Sequence, residues 1–220
     1  MSVGTAEVIE YYNGMLPYME RYHKGISMGR LNVIIDTLKQ IIKPGVAVLD
    51  IGCGTGITSK RIADMEAKVT AVDISPVLIE FAQKNSFSEN ITYIVGDIYE
   101  FSSNEKFDLI VFADVFEHLD PSKSFGIVHN LTKYNSHELT KVYLSIPDPN
   151  YLKHMKARHP DKLQIIDQGY TIEHIAGMFS YCGFEPIHAR IYGIDNDVQW
   201  NEYIFLNEIG LSKYYKGEIK

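Results

Sequence analysis

Short apolar runs rich in β-branched residues alternate along the chain with amphipathic segments of ten or more residues. This alternation is typical of strand–helix–strand units and predicts a mostly parallel sheet. The pattern predicts seven strands: Val46–Ile51, Lys68–Asp73, Ile91–Val95, Phe107–Ala113, Lys141–Ile146, Glu185–Tyr192 and Asn201–Leu206.

Several helix boundaries are marked by capping residues. Ser75 and Asp120 each follow a predicted strand and precede a proline, a combination of N-cap and first-turn residue that begins a helix. Thr171 is placed to cap a later helix, and Gly183 is placed to end it. Residues 28–42 carry apolar side chains on one helical face, which predicts a helix packed on the sheet before the first strand.

Two regions depart from the alternation. Residues 1–26 combine tyrosines with interrupting Gly and Pro, which predicts a broken helical lid ahead of a single domain over residues 27–220. Residues 147–170 form a long connection after the fifth strand, and long ordered connections are usually functional. We therefore expect substrate contacts from both regions, by Tyr11, Tyr12 and Tyr22 in the first and by His154, Lys156, Arg158 and Tyr170 in the second.

Composition and charge narrow the class of protein. The 220 residues include 21 Lys and Arg against 28 Asp and Glu, a formal charge of −7, which disfavours a general nucleic-acid binder. No apolar run approaches the roughly 20 residues that cross a bilayer, and the first residues lack the basic character of a signal peptide. Cys53 and Cys182 provide neither a disulfide framework nor a closely spaced metal-ligand pair. We expect a cytoplasmic protein without a bound metal.

A glycine-rich loop follows the first strand. Gly52, Gly54 and Gly56 occupy alternate positions before a helix predicted from about Ile57, so the backbone can approach a ligand closely. A dinucleotide site would have G-x-G-x-x-G, and here the third glycine comes one residue early. A phosphate-binding P-loop would need Gly-Lys-Ser/Thr, which is absent.

Two acidic residues follow the loop at the ends of the next two strands. Asp73 ends the second strand, where a carboxylate can accept hydrogen bonds from both hydroxyls of a ribose. Asp97 follows the third strand, where it can accept from an exocyclic amine while Ile98 covers a purine face. Together the two positions predict an adenosine-containing ligand.

Four motifs in this order resemble those of a known enzyme family: Leu49–Gly56, Ala71–Ser75, Gly96–Ile98, and Phe107–Val111 with Glu117–Leu119. The chain resembles the class I (seven-strand, Rossmann-like) S-adenosylmethionine-dependent methyltransferases over residues 44 to about 210. The resemblance implies an α/β, doubly wound, mostly parallel seven-stranded sheet with an antiparallel last strand and helices on both faces. It also implies methyl transfer from S-adenosylmethionine, with the cofactor bound by Asp50, Gly52, Gly54, Thr55, Asp73, Ile74, Asp97, Ile98 and Asp114.

Methyl transfer from a sulfonium mainly requires that donor and acceptor be held about 3 Å apart and aligned, with a base only where the acceptor is a hydroxyl. His118, after the fourth strand, and His23, in the lid, are the candidate bases. The alternative role for His118 is to orient its loop through hydrogen bonds. Trp200, placed before the last strand, either packs in the core or lines the acceptor site.

The sequence says less about the acceptor molecule than about the cofactor. Four cations within ten residues of the 147–170 connection favour a phosphate-bearing substrate, with a solvated surface as the alternative. Residues 164–184 resemble methyltransferases acting on sugars, nucleotide-linked sugars or polysaccharide intermediates, so we expect an O or N atom of such a small molecule. The alternatives are an RNA, protein, quinone or lipid methyltransferase, a catalytically silent cofactor-binding partner protein, and a nucleotide-dependent oxidoreductase.

Overall fold

The computed structural model describes residues 3–26, 28–194 and 198–218. The chain divides into two compact units, Met1–Phe101 and Ser102–Lys220. The boundary expected between residues 26 and 27 falls at Ser27, outside the described residues. No helix within the described ranges is long and apolar enough to cross a membrane.

The first unit contains five helices and three strands among its described residues. In chain order they are α1 (Thr5–Gly14), α2 (Leu16–His23), α3 (Gly29–Ile41), β1 (Ala47–Ile51), α4 (Ile57–Ala63), β2 (Lys68–Asp73), α5 (Pro76–Asn85) and β3 (Ile91–Val95). Strand β2 pairs in parallel with β1 on one side and with β3 on the other. The break between α1 and α2 confirms the interrupted helix predicted for the N-terminal residues.

The second unit contains four strands and four helices among its described residues. They are β4 (Leu109–Ala113), α6 (Pro121–Tyr134), β5 (Lys141–Pro147), α7 (Pro149–Arg158), α8 (Ile172–Tyr181), β6 (Phe184–Ile194), β7 (Val198–Asn207) and α9 (Glu208–Tyr215), with 3-10 turns at Phe116–His118 and Pro160–Lys162. Strand β4 pairs in parallel with β5, while β7 lies antiparallel between β5 and β6.

The strands follow the order β3-β2-β1 in the first unit and β4-β5-β7-β6 in the second, and together they make a seven-stranded sheet. Six strands run in parallel and the last is antiparallel, which confirms the predicted fold class. Strands β1, β4 and β5 are almost entirely buried along their length. This explains their nearly continuous apolar sequences, because a parallel strand inside a sheet is covered on both faces.

The predicted helix starts are confirmed, and the same signal begins a helix where none was predicted. Ser75 accepts from Leu78 N, Asp120 from Ser122 N, and Thr171 from His174 N, as N-cap residues do. Asp148 before Pro149 acts in the same way at the start of α7, so the connection at 147–170 is partly helical. Helix α7 leaves no apolar repeat in the sequence, because Leu152 is the one buried residue described for it.

The long hairpin of β6 and β7 exceeds its predicted limits. Trp200 was expected before the last strand and instead lies within β7, opposite Pro147 of β5 and Tyr192 of β6. The predicted strand began at Asn201, whereas β7 begins at Val198. The polar residues Asn201 and Glu202 are both buried in β7. Helix α9 was not predicted.

Candidate functional site

The loop after β1, residues 52–56, turns sharply before α4. Its glycines share positive φ angles: 65° at Gly52, 53° at Gly54 and 74° at Gly56. Residues with a Cβ are strained in this region of backbone conformation. A Cβ at Gly56 would also lie 2.9 Å from Cβ of Ala82 and would meet the hydroxyl of Tyr93. Glycine at position 56 therefore allows α5 and β3 to pack tightly against the loop.

Asp73 holds the glycine loop from the end of β2. Its Oδ2 accepts from the backbone N–H of Gly54 at 2.8 Å, and its Oδ1 accepts from that of Ser75 at 2.9 Å. Burial raises the pKa of this carboxyl, and the backbone N–H donors act against the increase. Each carboxylate oxygen has two lone pairs, so both can accept further hydrogen bonds from a ligand.

Asp50 lies in the interior beside the same loop. Its side chain is 1% exposed, and Oδ2 accepts from the hydroxyl of Ser59 at 2.5 Å. Burial raises the pKa of Asp50 to about 7, the Ser59 hydrogen bond lowers it, and the nearby charge of Asp73 adds to the increase. The structure thus ties Asp50 to α4 rather than to the exposed side of the loop.

The residues expected to contact adenosine lie together past the ends of β2 and β3. The parallel register places Asp73 opposite Val95, the last residue of β3, so Asp97 lies two residues beyond the end of that strand. Oδ1 of Asp97 accepts from Tyr99 N at 2.9 Å. Ile74 and Ile98 are half-buried and present apolar surface beside the two carboxylates.

The N-terminal helices contact the glycine loop and the start of α5. Oδ1 of Asn13 accepts from the hydroxyl of Ser75 at 2.7 Å. The Sδ atom of Met19 lies 3.4 Å from the position that a Cβ on Gly54 would occupy. Because a methionine side chain adapts its shape, this contact can be displaced without altering the backbone.

His23, at the end of α2, approaches the loop from the same helix pair. Its ring hydrogen-bonds to the backbone of Thr55 and packs edge-on against Phe81, with 5.0 Å between ring centroids. Burial lowers the pKa of His23, and the Thr55 hydrogen bond and the Glu20 charge act against this change. Three tyrosines of the N-terminal helices are half-buried, namely Tyr11, Tyr12 and Tyr22.

Asp114, immediately after β4, has a left-handed backbone with φ of 59°. Its backbone N–H donates to the carbonyl oxygen of Ser145 at 3.0 Å, and its Oδ1 accepts from the Ser145 hydroxyl at 3.1 Å. The Ser145 hydroxyl also lies 3.2 Å from the hydroxyl of Tyr192. Because serine has one hydroxyl proton and donates it to the carboxylate, Tyr192 is the donor to Ser145.

A buried carboxylate organises the sheet next to this chain of hydrogen bonds. Glu202 on β7 is fully buried and accepts from Tyr143, His188 and Arg190 at 3.1, 3.1 and 2.9 Å. The guanidinium of Arg190 lies 5.4 Å from the ring centroid of Tyr192. Burial and the nearby charge of Glu202 raise the pKa of Tyr143 far above its usual range, so its hydroxyl stays protonated.

Aromatic side chains cluster at one end of the paired strands β5, β7 and β6. Trp200 is half-buried, and its ring lies 6.3 Å from that of Tyr151 on α7. Because residues directly opposite each other in a sheet share a face, Trp200, Tyr192 and Pro147 lie on the same side.

The ring of His118 is fixed by the segment before α8. Its Nδ1 lies 2.8 Å from the carbonyl oxygen of Ile166 and 3.1 Å from a carboxylate oxygen of Asp167. Both partners only accept, so Nδ1 carries a proton. Burial lowers the pKa of His118, but the charges of Glu117 and Asp167 outweigh it and raise the pKa. This geometry matches the loop-orienting alternative.

The basic residues of the 147–170 segment point into solvent. Lys153, His154, Lys156 and Arg158 on α7 and Lys162 after it are all exposed. Within the described ranges, none of the four cations lies within 4.0 Å of a carboxylate oxygen, whereas exposed Lys39 and Lys84 each pair with an acid.

Tyr170 is buried rather than available on the surface. It is 4% exposed and packs against Phe116 and His174, with 5.3 Å between ring centroids in each pair. Its expected substrate contact would therefore require a rearrangement of this cluster. Among the residues described, no group of three or more His, Cys, Asp and Glu side chains is arranged to hold a metal.

Comparisons with known proteins agree with this geometry. Residues 48–134 match a family model described as a methyltransferase domain. The matched segment runs from β1 to the end of α6. The solved structure of magnesium protoporphyrin IX methyltransferase from Synechocystis PCC 6803 with bound SAH has a TM-score of 0.74, covering 92% of this chain and 99% of that chain at 18% identity.

Two relatives share sequence with part of the chain. Over 88 residues it is 35% identical to malonyl-[acyl-carrier protein] O-methyltransferase of Acetivibrio thermocellus, covering 39% of this chain and 31% of that protein. Over 86 residues it is 37% identical to the mitochondrial ubiquinone biosynthesis O-methyltransferase of Schizosaccharomyces pombe, covering 37% and 31% respectively. The matches thus span under one third of the length of these relatives.

The sequence missed several residues that contribute to the geometry of the candidate site. Asn13, Met19, Ser145, Tyr151 and Tyr192 belong to no recognisable motif, and their partners are distant in sequence. For Tyr151 alone the sequence contains a local signal. Asp148 followed by Pro149 marks the start of the helix that positions this residue.

Proposed function

We propose that this domain transfers the methyl group of S-adenosylmethionine to an oxygen atom of a small acceptor. The observation that carries the proposal is the position of Asp73, whose carboxylate joins the glycine loop to the end of β2. A carboxylate in this position suits a ribose, and Asp97 beyond the adjacent strand suits an adenine amine.

The residues present fit the cofactor. Among the described residues, only the flexible Met19 side chain comes within 4 Å of a Cβ placed on Gly54, so a ligand can pass close to the backbone there. Thr55 lies at the same turn, and Ile74 and Ile98 provide apolar surface for a base. When bound, S-adenosylmethionine supplies a methyl group on a positively charged sulfur, and the chain binds it, orients it and excludes water.

An oxygen acceptor is favoured by the names of the two relatives, both of which are O-methyltransferases. The sugar or nucleotide-linked sugar expected from the sequence has no counterpart in those names, whereas the quinone alternative does. The basic residues on α7 keep a phosphate-bearing acceptor within the proposal, because exposed unpaired cations can bind phosphate through charge-assisted hydrogen bonds.

The N-terminal helices act in this proposal as a lid over the cofactor. The contacts from Asn13 to Ser75 and from Met19 to Gly54 support that role, since both reach the loop that would bind the cofactor. Closing such a segment excludes water from the reacting groups. His23 lies in the same segment, and its lowered pKa favours a neutral imidazole.

Calorimetry with S-adenosylhomocysteine tests the proposal directly. The wild-type protein should bind one equivalent, and Gly54→Val should abolish binding because the added side chain occupies the ligand's space. Gly45→Val is the matched control: its φ is also positive, at 83°, and in the described part of the chain no neighbouring atom lies within 4 Å of the new Cβ position. No binding by the wild type, or equal affinities in all three proteins, would contradict the proposed site. Binding of reduced nicotinamide cofactor instead would favour an oxidoreductase.

A further inference from the structure

We propose that Trp200, Tyr151 and Tyr192 bind a planar ring bearing a hydroxyl group, and that Asp114 accepts the hydroxyl proton. This inference rests on the methyl transfer proposed above and specifies its acceptor. All four residues belong to the second unit, so the argument concerns contacts within that unit.

The first observation is the constrained backbone of Asp114. A non-glycine residue with φ of 59° costs conformational energy, and such residues persist where surrounding contacts hold them. Here the contacts are the two hydrogen bonds to Ser145, one from the backbone and one to the carboxylate. They fix the carboxylate at the carboxyl end of β4, the edge of a parallel sheet where ligands bind.

The second observation is the direction of the hydrogen bonds. Tyr192 donates to Ser145, and Ser145 donates to Asp114, so the chain ends on a proton acceptor. A hydroxyl bound beside these residues can deliver its proton to Asp114.

In the proposed step the acceptor O–H bond breaks and the oxygen electron pair bonds to the methyl carbon. The electron pair of the broken carbon–sulfur bond stays on sulfur, and the proton on Asp114 passes to water.

The third observation is the aromatic surroundings. Pro147, Tyr192 and Trp200 share one face of the sheet, and Tyr151 approaches Trp200 from α7. Flat apolar surfaces of this kind stack with rings, whereas a sugar also requires several donors and acceptors for its hydroxyls. Arg190, itself bound to buried Glu202, lies against the Tyr192 ring and restricts its orientation.

The single tryptophan makes binding directly measurable. Because Trp200 is the one tryptophan of the chain, intrinsic tryptophan fluorescence reports on this place alone. The protein saturated with S-adenosylhomocysteine is titrated with 3,4-dihydroxybenzoate, glucose 1-phosphate or monomethyl malonate. We expect saturable quenching by 3,4-dihydroxybenzoate only. Tyr151→Ala and Tyr192→Ala should weaken it about three- to tenfold, from the loss of a stacking partner.

Tyr181→Ala is the matched control, because Tyr181 is 78% exposed on α8 and lies outside the proposed site. It should leave quenching unchanged, and calorimetry should give an unchanged affinity for S-adenosylhomocysteine in all three variants. Absence of saturable quenching by the ring compound, or quenching insensitive to both site variants, would overturn the inference. Failure to bind S-adenosylhomocysteine would instead reject the proposed function.

Asp114→Asn tests proton acceptance. Asparagine tolerates the left-handed backbone and still accepts from Ser145, so the geometry should be kept. With 3,4-dihydroxybenzoate as acceptor, kcat should fall about 10²- to 10⁴-fold at constant KM, and the acid limb of the pH–rate profile should disappear. An unchanged profile, or no turnover of the ring compound by the wild type, would show that Asp114 does not accept its proton.

Discussion

The backbone N–H of Gly54 donates to Oδ2 of Asp73 across 2.8 Å, which joins the glycine loop to the end of β2. The residue expected to bind ribose therefore also maintains the loop expected to pass the methionine portion of the cofactor. Substitutions at Asp73 should affect both ligand affinity and stability, whereas a substitution at Asp97 should affect affinity alone.

This double role can be separated experimentally. Asp73→Asn removes the negative charge that strengthens the hydrogen bonds from the loop and from ribose, each about 1.5–3 kcal/mol before compensation by water. We expect at least a tenfold higher Kd for S-adenosylhomocysteine, together with a lower Tm. Calorimetry and thermal unfolding measure the two effects.

Asp97→Asn is the companion variant for that experiment. Its amide oxygen can still accept from Tyr99 N, so the Tm should remain that of the wild type while Kd increases. Equal Tm losses in both variants would show that Asp73 has no special role in holding the loop.

The N-terminal helices should be required for turnover but not for folding of the remaining chain. Deleting residues 1–22 removes the contacts of Asn13 and Met19 with the first unit. Because a lid excludes water during the reaction, methyl transfer should fall to a few per cent or less while circular dichroism shows a folded protein. Turnover of the truncated protein at the full rate would refute a lid.

The basic residues on α7 should matter only if the acceptor is anionic. Replacing Lys156 and Arg158 together with Ala should raise the acceptor KM several-fold and reduce its salt dependence, since exposed charges are screened over about 8 Å at physiological ionic strength. Cofactor affinity should be unchanged. Lys39 and Lys84 provide the control pair, each exposed and already paired with an acid. A KM insensitive to salt and to the α7 variant would indicate a merely solvated surface.

Asp50 should make the protein less stable as the pH rises. Its folded pKa is about 7, above the unfolded value, so between about pH 4 and pH 7 unfolding releases a proton. The free energy of unfolding should therefore decrease across that window by up to about 1.4 kcal/mol per pH unit, and level off above it. Urea unfolding from pH 4 to pH 8 measures this decrease.

Asp50→Asn keeps an acceptor for Ser59 and does not titrate, so its stability curve should be flatter than that of the wild type. Because the charges of Asp50 and Asp73 interact, the difference between the two curves reports on this coupled pair. His118, whose pKa is also raised, contributes equally to both proteins and cancels in the difference. Asp36→Asn, at an exposed position on α3, should follow the wild-type curve. Parallel curves for all three proteins would contradict a protonated Asp50.

Local chemistry explains what the sequence determined. The apolar runs of β1 and β4 are buried on both faces, and the cap residues Ser75 and Asp120 act within three residues of themselves. The glycine loop and the spacing of Asp73 and Asp97 likewise depend on neighbouring residues and on parallel strand order. Such features leave a pattern in the chain because their physical cause is local.

Tertiary structure decided the rest, because the partners lie far apart in sequence. Asp114, Ser145 and Tyr192 meet only when β4, β5 and β6 are assembled, and no spacing in the chain marks them as neighbours. Trp200 lies within β7 because pairing with Pro147 of β5 and Tyr192 of β6 extends that strand. Glu202 is tolerated in the same strand because three donors satisfy its buried carboxylate. Tyr170 carries no sign in sequence that its ring packs against Phe116 rather than facing a ligand. Burial and hydrogen-bond partners at a distance are properties of the assembled sheet, so only the three-dimensional structure could provide them.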